Sequence, residues 1–237
     1  LGGERTMVST ATAVVFAAVV IGRFLIPLLI FRYPLPAIIA CLVLDGIDQS
    51  IFQLFGYDPP GYQSYDKAMD VFYLALAYLA TLRNWTAMWA FHVSWFLFFF
   101  RLIGVVIFEA THIRAVLLIF PNAFEYFFIA YEAIRTRWQV DRRTLRFWVA
   151  LAAFIWVVVK LPQEYWIHVA QMDLTDTLAD HPISWLVLLA LIVVALLGCK
   201  WFARTQLGTA SEHWHWQAAP VPAAMDAAEH RARWTAR

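Results

Sequence analysis

Long apolar runs separated by short polar loops dominate the chain between residues 8 and 202. A membrane-spanning helix needs about 20 mostly apolar residues to cross roughly 30 Å of hydrocarbon, and seven runs reach or approach that length. The pattern therefore predicts an all-α fold, a polytopic integral membrane helix bundle with about seven transmembrane helices. The predicted helices cover residues 8–31, 36–55, 67–82, 85–108, 113–134, 144–161 and 182–202.

The composition supports a location in a lipid bilayer. Of the 237 residues, 62% are hydrophobic and 15% are charged, and the mean hydropathy is +0.62, whereas soluble domains contain about 45–50% apolar residues. We expect a multi-pass protein of the cell membrane with a single transmembrane helical domain over residues 1–204 and a polar C-terminal tail over residues 205–237. The first apolar run lacks a small-residue cleavage site after it, so we expect a retained helix and not a signal peptide.

Arginine-rich loops predict how the chain is oriented in the membrane. Short cytoplasmic loops carry an excess of Lys and Arg, and the strongest such loop, residues 135–146, contains five arginines. Lys200, at the end of the last predicted helix, and Arg204, just after it, fall on the same side. The N-terminus is therefore expected outside and the C-terminus in the cytoplasm. The net charge of +1 gives no reason to expect a nucleic-acid partner, so the lipid bilayer is the expected partner.

Polar residues on two neighbouring predicted helices form the main candidate site for a ligand or ion. Asp45, Asp48 and Gln49 share one face of the second helix because they are three and four positions apart. Asp66 and Asp70, four positions apart, mark the entry to the third helix. Acids in apolar segments are costly, so we interpret this group as a functional site.

Three further charged residues are predicted as charge partners within the bundle. Arg23 of the first helix lies at a similar predicted depth to Asp45, so we expect either a structural ion pair or a shared functional role. Arg101, in the outer half of the fourth helix, is expected to approach Asp48 and Asp70. Glu125 lies near the middle of the fifth predicted helix, where a carboxylate needs a partner.

The chemistry of these side chains suits hard cations and protons. Carboxylate and amide oxygens are ligands of Mg²⁺ and Ca²⁺, and intramembrane acids also carry protons. The sequence therefore favours a site for a cation, a proton or a small polar solute, used in transport or sensing, with a divalent cation as the candidate cofactor. The candidate metal ligands are Asp45, Asp48, Asp66 and Asp70.

A different class of function stays open from the same residues. If arginines neutralise the acids, the protein is a non-catalytic accessory subunit of a larger membrane complex, with other membrane-protein subunits as partners. The chain has no nucleophile elbow, P-loop or zinc-protease motif, so an enzyme of those classes is disfavoured.

Part of the acidic stretch resembles the signature of the CDP-alcohol phosphotransferases. In that family a DG pair precedes a DxxxD sequence, and here Asp45 precedes a glycine while Asp66 and Asp70 follow later. The resemblance implies a divalent-metal-dependent lipid phosphotransferase, whose carboxylates hold metals against the pyrophosphate of a CDP-lipid. The chain departs from the signature at Leu42, which replaces its first aspartate, and at Tyr62, which replaces its glycine. This is the second alternative function.

Overall fold

A computed structural model of the protein describes residues 10–55, 62–113, 115–168 and 183–220. Within these residues the regular structure is helical and contains no strand, which confirms the all-α prediction. The chain divides into two compact units, one formed by residues 1–91 with 216–237 and the other by residues 92–215. The predicted boundary between a transmembrane domain and a polar tail stays a prediction.

The described helices follow one another in this order: α1 (Thr10–Leu25), α2 (Pro34–Leu54), α3 (Tyr62–Asn84), α4 (Met88–Thr111), α5 (Ala115–Ile119), α6 (Ala123–Arg135), α7 (Leu145–Phe154), α8 (Leu161–His168) and α9 (Ile183–Phe202). Three short segments of other helical types continue them. A 3₁₀ segment, Ile26–Phe31, follows α1, while π-helical segments lie between α7 and α8 (Ile155–Lys160) and after α9 (Ala203–Leu207).

Within the described residues, four helical stretches are long and apolar enough to cross a membrane: Thr12–Phe31, Met88–Thr111, Ala115–Arg135 and Leu145–Gln163. Large apolar side chains on these stretches, such as Leu28, Phe96 and Val157, are exposed. Exposed apolar surface of this kind is compatible with contact to a lipid bilayer. The architecture therefore fits a membrane protein, while the count of seven spans and the orientation remain predictions.

Pro27 determines how the first helix of the first unit ends. Proline has no N–H to donate, and its ring clashes with the carbonyl four residues earlier. The α-helix accordingly stops at Leu25, and the chain continues as the 3₁₀ segment with Pro27 in its first turn. This segment packs on α2 and α3. The core of the unit includes side chains that are almost completely buried: Ile30, Ile38, Phe52 and Ala77.

The prediction of one continuous helix over residues 113–134 is wrong. The structure has two helices there, α5 and α6, separated at Phe120–Asn122. Pro121 explains the break because it cannot donate a hydrogen bond within a helix, and the Ala123 N–H instead donates to the carbonyl oxygen of Pro121 at 2.8 Å. The core of this second unit includes fully buried aromatic side chains: Phe124, Phe127, Phe128, Tyr131 and Trp148.

Candidate functional site

Arg23 lies at the centre of the candidate site, where its guanidinium contacts four carboxylates. Nη1 donates to Asp48 Oδ2 at 2.5 Å and to Asp66 Oδ1 at 2.9 Å. Nη2 donates to Asp45 Oδ1 and to Asp70 Oδ1, the latter at 3.2 Å. We call these five side chains the Arg23 cluster. Its arginine side chain is only 3% exposed, so the guanidinium depends on the carboxylates for its hydrogen bonds.

Three helices supply the cluster, and the spacing of its residues explains why they meet. Arg23 lies in the last turn of α1, Asp45 and Asp48 are three positions apart on α2, and Asp66 and Asp70 are four positions apart on α3. Residues at these spacings lie on one face of a helix. Because α3 begins earlier than predicted, both of its acids lie inside the helix. The acids of the two predicted helices come together around Arg23, and the Arg23–Asp45 ion pair is present.

Three of the four carboxylates reach the surface of the unit. The side chains of Asp45, Asp66 and Asp70 are 25%, 31% and 23% exposed, whereas that of Asp48 is fully buried. One carboxylate oxygen from each exposed acid lies within 4.8 Å of the others, a spacing at which the three can share one ion. We call Asp45, Asp66 and Asp70 the acidic triad. Asp48, in contrast, holds Arg23 from the buried side.

The Arg23 cluster contains more negative than positive groups. Arginine stays protonated in proteins, so one positive charge faces four carboxylates. Within these five side chains, full ionisation would leave three more negative than positive charges, partly removed from water, where uncompensated charge is costly. Protons or a bound cation would neutralise that surplus.

The titration of Asp66 reflects this excess of negative charge. Burial raises the pKa of Asp66, and the neighbouring Asp45 carboxylate raises it further, to about 6, against the opposing effect of Arg23. An aspartate in water has a pKa of about 3.9. Asp66 is therefore able to exchange a proton in a mildly acidic range where ordinary aspartates are fully ionised.

Two features beside Arg23 were not expected from the sequence. The Arg23 guanidinium carbon lies 5.6 Å from the ring centroid of Tyr65, within the range of a cation–π contact. A cavity of about 10 Å³ also borders Arg23, with Cys41 and Tyr73 in its wall, which is room for about one water molecule. Tyr65 directly precedes Asp66 of the acidic triad on α3. This adjacency is the feature of the sequence that could have indicated a tyrosine near the site.

For two other predicted site residues, a contact with the Arg23 cluster stays a prediction. The side chain of Gln49 lies outside the residues that the structure describes. Arg101 Nη1 donates to the carbonyl oxygen of Phe120 at 3.1 Å, while Asp48 already has Arg23 as a partner. The expected approach of Arg101 to Asp48 and Asp70 stays a prediction, although Asp48 already has a positively charged partner without Arg101.

Glu125, the remaining predicted charge, has a partner on its own segment. This buried carboxylate accepts a hydrogen bond from Asn122 Nδ2 at 3.0 Å. Glu132 similarly accepts from Arg135 Nε at 2.6 Å. Both partners are three residues away along the chain, the spacing of ordinary neighbours on a helix. We therefore assign Glu125 to the structure of the second unit.

Comparisons with known proteins add no indication of function. No family model matches the chain, and no curated protein or solved structure matches it either. The resemblance carried by Asp45, Asp66 and Asp70 has no family match behind it. The remaining indication of function is the chemistry of the Arg23 cluster.

Proposed function

We propose that the protein is a multi-pass protein of the cell membrane that binds a cation or exchanges protons at the Arg23 cluster, in transport or in sensing. The observation that carries this proposal is the contact of one guanidinium with four carboxylates. A single arginine is sufficient to neutralise one of them. The remaining acids therefore provide binding capacity for a positive charge that comes from outside the cluster.

The geometry of the acidic triad supports a hard cation as one occupant. Mg²⁺ and Ca²⁺ take oxygen ligands at about 2.0–2.6 Å, so two oxygens that share one ion lie within about 5 Å of each other. The three carboxylate oxygens of the triad lie within 4.8 Å of one another and meet this condition. Their partial exposure also gives an ion a path to the site.

Protons are the second possible occupant, and they compete with the cation. A carboxyl group must lose its proton before it becomes a good ligand for a hard cation. Because Asp66 has a pKa of about 6, cation binding should be stronger at about pH 7 than at about pH 5. This coupling would let the protein sense pH, or exchange a proton for a cation.

The acidic triad also favours one second candidate function. Its members, Asp45, Asp66 and Asp70, are the three residues that carry the resemblance to CDP-alcohol phosphotransferases. A metal-dependent lipid phosphotransferase would consume a CDP-lipid only when Mg²⁺ and an alcohol acceptor are present. An assay for this consumption with the purified protein tests the candidate, and no Mg²⁺-dependent turnover would remove it.

The thermal stability of the detergent-purified protein tests the proposed function. Divalent cations should stabilise the wild type, by about 2.7 kcal/mol when the free cation is a hundredfold above Kd. Asp66→Asn and Asp70→Asn should lose this response. Glu109→Gln, a change at an exposed acid on α4, is the matched control and should keep it. If no acid of the cluster affects the response to cation or pH, the acids are structural, and the accessory-subunit alternative becomes the better one.

A further inference from the structure

Arginines of the loop between α6 and α7 hold the segment that follows α9. Arg143 Nη1 and Nη2 donate to the carbonyl oxygens of Gln206 and Leu207 at 2.6 and 2.8 Å. Arg137 Nη2 donates to the carbonyl oxygen of Ser211 at 3.1 Å. These acceptors are neutral backbone groups. The contacts therefore fix the segment in place without cancelling the positive charge of either arginine.

An aromatic contact places the start of α7 beside the end of α9. The rings of Phe147 and Phe202 stack with centroids 5.8 Å apart and planes inclined by 28°. Arg146 directly precedes Phe147, and Arg204 follows Phe202 by two residues. Basic residues from two distant parts of the sequence therefore lie at the same end of neighbouring helices.

Cationic side chains are concentrated and exposed at this end of the second unit. The segments 132–146 and 200–212 together contain seven Lys or Arg residues and three Asp or Glu residues. In the part of the chain that the structure describes, four of the cations are exposed and form no ion pair. We call these four the basic surface: Arg142, Arg146, Lys200 and Arg204. The two exposed acids nearby, Asp141 and Glu212, do not balance it.

The basic surface borders exposed apolar and aromatic groups. Trp201, between two of its residues in sequence, is 66% exposed, and Leu197 and Val149 are exposed further along α9 and α7. Tryptophan next to Lys and Arg at the end of an apolar helix is typical of the boundary between hydrocarbon and water. This pattern favours a position of the charges at the level of the lipid headgroups.

We propose that the basic surface binds the headgroup phosphates of an anionic phospholipid in the bilayer. Charge complementarity identifies the partner, because exposed guanidinium and ammonium groups attract phosphate oxygens. The exposed apolar helices beside the surface favour a lipid over a soluble anion, since the acyl chains of a lipid can cover them. This site is separate from the Arg23 cluster and does not depend on it.

Native mass spectrometry of the full chain in detergent tests this proposal, with phosphatidylglycerol as the anionic probe and phosphatidylcholine as the neutral one. Each basic residue near a membrane surface favours anionic lipid by roughly 5-fold. The pair Arg146→Gln with Arg204→Gln should therefore lower the affinity for phosphatidylglycerol by roughly 25-fold. Binding of phosphatidylcholine should not change.

Two further pairs separate a defined surface from a general effect of charge. Arg32→Gln with Arg83→Gln removes two exposed cations of the first unit and should leave the preference for phosphatidylglycerol intact. Arg146→Lys with Arg204→Lys keeps the charge and should keep the preference. Equal wild-type affinity for both lipids would overturn the proposal. An equal loss in the first-unit pair would also overturn it, because the preference would then come from total charge.

Discussion

Replacing Arg23 by glutamine removes the positive charge of the Arg23 cluster but keeps a side chain that can donate hydrogen bonds. The four carboxylates would then face one another without the guanidinium that all of them contact. Like charges at such short range repel, and the fully buried Asp48 carboxylate would lose its ion pair with Arg23. We expect the variant to fold less stably or to take up protons.

The size of this effect follows from the burial of the two central groups. Removing one partner of a buried ion pair costs about 3–5 kcal/mol, and Arg23 with Asp48 meets that description, with side chains 3% and 0% exposed. Loss of the ion pairs with the three partly exposed acids adds less to the destabilisation, because water reaches these carboxylates. We expect a loss of about 3–5 kcal/mol at about pH 7, and a smaller loss at about pH 5, where protonation of the acids relieves their repulsion.

Unfolding in mixed micelles with increasing SDS measures this loss. Asp48→Asn alone and combined with Arg23→Gln completes a double-mutant cycle, in which residues in contact show a coupling of about 0.5–3 kcal/mol. Arg32→Gln, at an exposed arginine of the same unit, should change the free energy of unfolding by less than about 0.5 kcal/mol. Strictly additive losses, or a loss no larger than that of Arg32→Gln, would refute the reasoning.

Gly104→Ala should lower the free energy of unfolding by about 1–3 kcal/mol in the same measurement, because a Cβ at this position would lie 2.2 Å from Phe120 Cβ. Gly198→Ala is the control and should not destabilise the protein, because a Cβ there would have nothing within 4 Å. A single cysteine at Arg142, in a background without the native cysteines, should react with a membrane-impermeant thiol reagent only from the cytoplasmic side, and labelling from outside intact cells would reverse the predicted orientation. The raised pKa of Asp66 means that the folded state favours the protonated carboxyl group. The stabilisation that this protonated group gives is complete below about pH 4 and is lost as pH rises through about 6. The stability of the wild type relative to Asp66→Asn should fall over that range, and a flat difference would contradict the assignment.

Helical periodicity was sufficient to predict which acids share a helix face. Asp45 with Asp48 and Asp66 with Asp70 share faces through spacings of three and four, which depend only on local geometry. Matching depth along the helices likewise predicted that Arg23 would meet Asp45. The sequence did not indicate that one guanidinium contacts all four acids, because that depends on how three helices pack.

Other features depend on interactions that leave little trace in a hydrophobic pattern. The break between α5 and α6 follows from Pro121, whose effect competes with an otherwise continuous apolar run. Arg143 binds backbone carbonyl groups after α9, and every residue has such a group. Its partner therefore cannot be read from residue types. Arg101 shows the same limit, since one of its acceptors is the backbone carbonyl of Phe120.

Calorimetric titration of the detergent-purified protein with Ca²⁺ and Mg²⁺ decides whether the Arg23 cluster takes up positive charge. Titrations in two buffers with different protonation enthalpies also count the protons that are released. At about pH 6 we expect saturable cation binding with proton release in the wild type and in Glu109→Gln. Both should be absent when Asp66→Asn and Asp70→Asn are combined. A wild type that binds no cation, and that matches this double variant in proton uptake between about pH 4 and about pH 8, would contradict the proposed function.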